Sequence, residues 1–335
     1  MTHESTQELP LVTFALFAYN QEKYIREAIE GAFAQTYEPL EIILSDDGSS
    51  DDTFNVMQEA AKNYSGPHRV IARQTNENRG TFNHVLEVAR EMSGELMVLG
   101  AGDDISAPNR CNEIVSEWIR SPAKIFFSIY EKIDDVGKSL GVSESSGGQE
   151  ITNWFAPEQR QHFNHGATTA YHSEVFRGLS FSEDPIFSED ALFYIISIVN
   201  GYEIRKLPFP LVKYRQSADS ISNDMGDKTS KADIEGFEKK ISWMAKSYVS
   251  LCDYALKLLD NIEGFERAKG RIKATHRFAM IRCGWIDSGL GERIRLALLC
   301  REMREVRFLL PRILGLNFFA QIKSWFATAK VRRVR

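Results

Sequence analysis

The chain has 335 residues, 43% of them hydrophobic and 26% charged, with four Cys, ten Pro and a formal charge of −5. That composition excludes a disordered or collagen-like chain, and the length suits one large domain or two modest ones. Cys111, Cys252, Cys283 and Cys300 form no C-x-x-C pair, so their spacing supports neither a zinc site nor a disulfide framework. The opening MTHESTQELP lacks a signal-peptide layout and no run of 18 apolar residues occurs, so a cytosolic globular protein is expected.

In chain order, Leu11–Phe17 is an apolar run suited to a strand buried on both faces. It ends at Ala18-Tyr19-Asn20, and Tyr24, Ile25, Ala28, Ile29, Ala32 and Phe33 then recur at helical spacing. Leu40–Leu44 predicts a second strand ending in Ser45-Asp46-Asp47-Gly48-Ser49-Ser50, and Phe54, Met57, Ala60, Ala61 and Tyr64 a second helix. Arg69–Arg73 predicts a third strand, a helix follows from about Thr81, and Glu95–Leu99 predicts a fourth strand ending in Gly100-Ala101-Gly102-Asp103-Asp104. Such alternation implies an α/β fold with a largely parallel sheet and helices on both faces. Ligands of such sheets bind outside the carboxyl ends of the strands, where residues 18–22, 45–52 and 100–104 all fall.

Beyond residue 124 the pattern loosens. Lys124–Tyr130 predicts a strand, Asp134–Gly137 a turn and Ser143–Gln149 a polar loop. Ala191–Val199 predicts a helix launched by Ser188-Glu189-Asp190, and the chain from about Lys228 is helical, punctuated by Gly264, Gly284, Gly289 and Pro311. The expected division is a catalytic domain over 1–225 and a helical region over 226–335.

No G-x-G-x-x-G follows the first strand, the Gly137-Lys138-Ser139 stretch lacks the earlier glycine of a phosphate loop, and neither G-x-S-x-G nor H-E-x-x-H occurs. Acidic clusters at strand ends remain. Asp46-Asp47-Gly48-Ser49-Ser50-Asp51 serves as a turn and helix cap, or its carboxylates accept bonds from a nucleotide. Asp103-Asp104 is a solvated turn before Pro108, or a pair that holds a hard cation against a diphosphate. Glu189-Asp190 is a favourable acidic helix start, or a general base once the fold brings it to the other clusters.

In this order and at these separations the clusters resemble the family 2 glycosyltransferases of the GT-A fold, over about residues 9–222. The matching residues are Ala18-Tyr19-Asn20-Gln21-Glu22, Ser45–Asp51, Asn78-Arg79-Gly80 with Asn83, Gly102-Asp103-Asp104, Glu189-Asp190 and Tyr214-Arg215. The resemblance implies that Ala18, Tyr19, Asn20, Glu22, Asp46, Asp47, Asn78 and Asn83 line the donor nucleotide pocket. It implies that Asp103, with Asp104 beside it, holds Mg²⁺ or Mn²⁺ on the diphosphate, and that Arg215 contacts the diphosphate. Asp190 would be the catalytic base, supported by Glu189, in a single displacement with inversion at the anomeric carbon. Two departures stand out: the family's D-x-D reads Ala101-Gly102-Asp103, and a frequent His after the Tyr-Arg pair is Ser217. The implied role is transfer of one sugar from a nucleoside-diphosphate sugar to an oligosaccharide acceptor, lipid-linked, in bacterial surface-polysaccharide (O-antigen or capsule) assembly. A catalytically inactive relative that binds a carbohydrate or partner, and a nucleotidyltransferase on a similar sheet, are the alternatives.

From Glu292 onward there are 11 Lys or Arg against three Glu, whereas the preceding chain is acidic. On a helical wheel Arg293, Arg301, Arg304 and Arg307 oppose Leu298, Leu299, Met303, Val306, Leu309 and Leu310, with Arg295 the exception. A basic amphipathic helix over 293–310, with Ile313–Phe326 and a basic end beyond it, fits an anionic surface at the inner face of the cell membrane. The alternative is a helical subdomain with a solvated basic face. Nucleic acid does not fit the acidic catalytic half. His162, His165 and Gly166-Ala167-Thr168 lie where the resemblance places an acceptor loop.

Overall fold

The computed structural model describes residues 8–143, 166–216, 231–301 and 303–315. Two compact units emerge: Met1–Pro185 with Glu189–Ser220, and Ile186–Ser188 with Ile221–Arg335. The boundary expected at 225/226 lies outside the described residues.

In the first unit β1 (Val12–Ala18) and β2 (Leu40–Asp46) are buried along their whole length, as their apolar sequences require of strands covered on both faces. They pair in parallel with β3 (Arg69–Gln74) and β4 (Leu96–Ala101), in the order β3-β2-β1-β4. The register sets Ala18 opposite Asp46 and Phe17 opposite Ala101, so the polar clusters leave the sheet at one level. Helices α1 (Ile25–Phe33), α2 (Thr53–Asn63), α3 (Thr81–Glu91) and α4 (Arg110–Ile119) follow these strands or the two-residue strand β5 (Ile105–Ser106). Val12, Phe14, Leu16, Ile42, Leu44 and Val98 of the strands share one core with Ile25, Ala28 and Ile29 of α1 and Cys111, Ile114 and Val115 of α4.

The second half of the sheet is mixed. β6 (Ile125–Ile133) runs beside β7 (Ser139–Ser143), β8 (Thr169–His172) and β9 (Ile204–Arg215), and β8 joins the halves by pairing antiparallel to both β4 and β6. Helix α5 (Glu189–Asn200) begins two residues earlier than its apolar pattern alone predicts. The expected polar loop after Ser143 and the residues His162 and His165 lie outside the described residues.

The second unit contains α6 (Lys231–Leu258), α7 (Glu266–Gly284), α8 (Leu290–Leu299) and α9 (Met303–Leu309). Ile234, Ile281, Trp285, Leu296 and Leu309 form its core cluster. Phe187 belongs with this unit: its ring lies 4.3 Å from that of Trp243, and its N–H donates to Ser247 Oγ at 2.8 Å. The single helix expected over 293–310 is two helices, broken where Cys300 is extended. In one straight helix Leu296 and Leu309 would point about 140° apart; the break lets both face Trp285. The Arg301 N–H, freed at the break, donates to the Glu305 carboxylate at 2.5 Å. One of the basic residues expected to face outward is used inside, where Arg293 Nε donates to the Trp285 carbonyl at 3.0 Å; beyond the helices Arg312 forks onto buried Glu238 at 2.7 and 3.1 Å.

At the amino end of β2, away from the strand-end loops, buried Glu41 accepts from Thr13 Oγ1 (2.7 Å), Arg69 Nη1 (3.0 Å), Ser93 N–H (2.7 Å) and Ser93 Oγ (3.1 Å). Removing such a carboxylate leaves its donors unsatisfied, so Glu41→Ala should cost ~3 kcal/mol in urea unfolding. Nucleotide binding by the folded fraction should be unchanged; a loss of binding without a loss of stability would contradict this division of labour.

Candidate active site

The loops leaving β1 and β2 are stitched together by side chains. Asn20 has a left-handed φ of 51°, which Asn tolerates. Its N–H donates to Ser49 Oγ (2.8 Å) and its Oδ1 accepts from the Ser50 N–H (2.9 Å). The Gln21 N–H donates to Thr53 Oγ1 (2.7 Å) and the Glu22 N–H to Asp51 (3.1 Å), while Glu22 accepts from the Asp52 N–H (3.0 Å). Tyr19, at the apex, is 45% exposed.

Asp46 and Asp47 are buried and heavily engaged. Asp46 accepts from the Ser49 N–H and hydroxyl and from Gln74 Nε2, at 2.8, 2.5 and 2.8 Å. Asp47 accepts from Thr75 Oγ1 (3.1 Å) and from the Arg79 and Gly80 N–H groups (2.9 and 3.1 Å), and so holds the start of α3. Burial raises the Asp47 pKa, opposed by those hydrogen bonds. Directly after them Gly48 has φ +72°, and a Cβ there would lie 2.8 Å from the Glu77 backbone. Asn78 accepts from the Gly80 N–H at 3.0 Å. Asn83, expected in the nucleotide pocket, instead clamps the backbone of Ser182, donating to its carbonyl (3.0 Å) and accepting from its N–H (2.8 Å).

Asp103 is half-buried in the turn after β4, whereas Asp104 points inward. Burial raises both pKa values, that of Asp104 strongly, with Asp103 as its next cause. Asp104 Oδ1 accepts from the Arg215 N–H at 2.8 Å; its buried Oδ2 has no hydrogen-bond partner among the described residues. Arg215, expected at the diphosphate, is enclosed at 1% exposure and acts as an internal knot. Nε donates to the Asp103 carbonyl (2.9 Å), Nη1 to the carbonyls of Asp134 and Asp135 (3.1 and 3.0 Å), and Nη2 to Glu27 (2.8 Å). The Tyr24 ring lies 4.6 Å from its guanidinium carbon.

Among the described residues no cluster of three His, Cys, Asp or Glu could cage a metal. The half-buried Asp103 and the unpaired Asp104 oxygen fit a hard cation that takes one or two protein carboxylates and completes its shell from phosphate and water.

Glu189 and Asp190 open α5. The Asp190 carboxylate accepts from the Ala191 N–H at 2.7 Å and from the Gly166 N–H. Burial lifts its pKa to about 6, and burial followed by the Asp190 charge lifts Glu189 to about 8. The two carboxyls titrate as a coupled pair, and burial beside a second carboxyl favours its holding one proton near neutral pH. Gly166 belongs to the 3-10 turn Gly166–Thr168, and a methyl group on it would overlap the Glu189 carboxylate. Because β8 pairs antiparallel to β4, with Val98 opposite Ala170, this turn lies against the carboxyl end of β4. The base candidate thus reaches the sheet edge that carries Asp103 through a residue 24 positions earlier in the chain. Only the bare glycine among the His165–Thr168 residues hinted at this contact; Arg110, buried beneath both turns, carried no local signal.

Residues 13–180, half of the chain, match the family described as Glycosyl transferase family 2. An uncharacterized glycosyltransferase of Haemophilus influenzae is 30% identical over 230 residues, 65% of this chain and 69% of that protein. The chain belongs to glycosyl transferase family 2. Its match to an uncharacterized Mycobacterium tuberculosis protein is 46% identical but spans only 25% of that protein's length. Two solved structures share the GT-A fold. They are the mannosyltransferase PcManGT of Pyrobaculum calidifontis, in complex with GDP-Man and Mn²⁺ (TM-score 0.50, 15% identity, 95% of this chain and 88% of that one), and S. aureus TarS 1-349, in complex with UDP-GlcNAc (TM-score 0.50, 13% identity, 97% and 92%).

A carboxyl whose pKa is raised on folding holds its proton more tightly in the folded state. The stabilisation it contributes is therefore complete below the unfolded value of 4.5 and is lost as pH rises through about 8. Glu189→Gln cannot ionise, so its melting temperature relative to the wild type should climb by several degrees between pH 5 and pH 8.5. A difference that stays constant across that range would mean Glu189 is not buried against a charge.

Proposed function

We propose that the protein is an inverting glycosyltransferase that moves one sugar from a nucleoside-diphosphate sugar to an acceptor hydroxyl. The observation that carries this reading is the buried Asp190, anchored by the Ala191 N–H and tied through Gly166 to the edge where Asp103 leaves β4. In the proposed step Asp190 takes the proton of the acceptor hydroxyl as its oxygen bonds to the anomeric carbon. The bond from that carbon to the diphosphate oxygen breaks on the opposite face, and the nucleoside diphosphate leaves with the electron pair. Asp103, aided by the inward Asp104, would hold Mg²⁺ or Mn²⁺, which when bound neutralises charge on the leaving diphosphate. Exposed Tyr19 offers a ring to the base, and Asn20, Glu22 and Asn78 offer polar groups around it, while Asp46 and Asp47 act by holding those loops and Asn83 by holding the Ser182 backbone. Arg215 acts from inside by holding the Asp103 carbonyl.

Calorimetry with UDP, GDP, UDP-GlcNAc and GDP-mannose, with and without Mn²⁺, tests the donor class. One nucleotide should bind with metal and weaken at least tenfold in Asp103→Asn, while Asp190→Asn should bind it normally and lose ~10²–10⁴-fold in transfer. No binding to any of the four would favour the inactive-relative alternative, and wild-type turnover by Asp190→Asn would remove the base assignment.

We also propose that the second unit rests on the anionic inner face of the cell membrane, where a lipid-linked oligosaccharide acceptor for surface-polysaccharide assembly would be met. No helix among the described residues is long and apolar enough to cross a membrane. Leu290, Ile294 and Leu298, spaced four apart on α8, are 53%, 48% and 81% exposed, and Arg295 lies exposed beside them. Apolar side chains next to basic ones suit an anionic lipid surface. The double variant Ile294→Asp/Leu298→Asp should reduce co-sedimentation with phosphatidylglycerol vesicles about tenfold or more, given ~1.5–3 kcal/mol per buried side chain. Nucleotide binding should be unaffected. Equal binding of wild type and variant, or of anionic and neutral vesicles, would sink the proposal.

A further inference from the structure

Arg110 opens α4, yet its side chain runs back beneath the turn of Asp103 and Asp104 and is fully buried. Nη1 donates to Ser106 Oγ at 2.9 Å, and Nη2 donates to the Ala167 carbonyl at 2.9 Å and reaches that of Thr169 at 3.5 Å. Its Nε–H is buried with no acceptor among the described residues, and the Phe14 ring lies 5.9 Å from the guanidinium carbon. Taking a guanidinium out of water costs several kcal/mol even after relaxation, and Asp104 offsets part of its charge here. An apolar side chain of similar volume would fill the space without that penalty. What only a planar fork supplies is simultaneous donation to two elements in fixed directions.

Those elements are the segment leaving the Asp103–Asp104 turn, through Ser106, and the segment that begins with Gly166, through Ala167 and Thr169. Gly166 in turn gives its N–H to Asp190 and closes over Glu189. Arg110 is thus one fixed strut between the carboxylate proposed for the donor side and the platform of the proposed base. We propose that Arg110 is a positioning residue that sets the placement of Asp190 relative to Asp103. The inference rests on the reading of Asp190 as the base.

Arg110→Lys keeps the charge and much of the volume but loses the fork. In the full-length variant, hydrogen–deuterium exchange should accelerate at least severalfold in peptides spanning 166–172 and stay unchanged in peptides of β1 to β3. Release of nucleoside diphosphate from UDP-GlcNAc or GDP-mannose, with water as acceptor, should fall ~10–100-fold in kcat with donor KM within about twofold. Ser106→Ala, which removes one acceptor and leaves the buried cation in place, should show a smaller effect of the same kind, and it serves if Arg110→Lys does not fold. Unchanged exchange at 166–172 in these variants overturns the proposal, as does a rise in KM that accounts for the whole loss of activity. Should the wild type hydrolyse neither sugar nucleotide, the exchange result decides alone. Asp190→Asn separates the two levels: retained turnover there sinks the base assignment itself, whereas an inert Asp190→Asn beside a fully active Arg110→Lys sinks only the strut.

Discussion

Like charge is the governing constraint. Asp46, Asp47, Asp103, Asp104, Glu189 and Asp190 all lie at or near the carboxyl edge of one sheet, and most of them are buried or half-buried. Carboxylates gathered in a low-dielectric setting repel one another and lose their hydration. The structure answers mainly with backbone amides: Asp46 takes that of Ser49, Asp47 those of Arg79 and Gly80, Asp104 that of Arg215, and Asp190 those of Ala191 and Gly166. The amides of Ser49, Arg79 and Gly80 come from loops that must then adopt one course. Neutralising the carboxylates and ordering the loops are therefore a single event.

Two buried guanidinium groups complete the balance, and they do different work. Arg215 gathers carbonyls from the Asp103 turn and the Asp134–Asp135 turn and ends on Glu27 of α1, so it closes the rear of the Asp103 loop. Arg110 lies under the other side and spans from Ser106 to the 166–169 segment. A lysine in either place would bring charge without the fork, and the carbonyls on one side would lose their donor.

The first half of the fold was readable because its signals are local. Continuous apolar runs mark β1, β2 and β4 as strands buried on both faces, and the register that levels Ala18, Asp46 and Ala101 follows once they lie parallel. What escaped depends on residues far apart in the chain. Asn83 and Ser182 are 99 positions apart, and Arg215 and Glu27 are 188 apart; no periodicity relates them. A motif places residues at strand ends, but it does not say whether a side chain faces outward or into the frame that holds its loop. Asn83 and Arg215 face the frame. The helix expected over 293–310 failed for a related reason: its wheel took no account of Trp285, toward which both Leu296 and Leu309 must turn.

Ala101 illustrates how the frame shapes chemistry. It is the last residue of β4 and pairs with Phe17 of β1, and the carboxylate common at this place in the family is absent. Asp104 is held inward by the Arg215 amide, which leaves Asp103 as the outward oxygen donor of the turn. A hard cation with one or two protein ligands draws the remainder of its shell from water and phosphate. In the proposed reaction metal and donor would then be retained together, each weakly without the other. Asp190, by contrast, takes its hydrogen bonds from backbone amides of the chain itself, those of Ala191 and Gly166. In the proposed reaction the base would thus be held by the fold, whereas the cation's shell would be completed by the substrate.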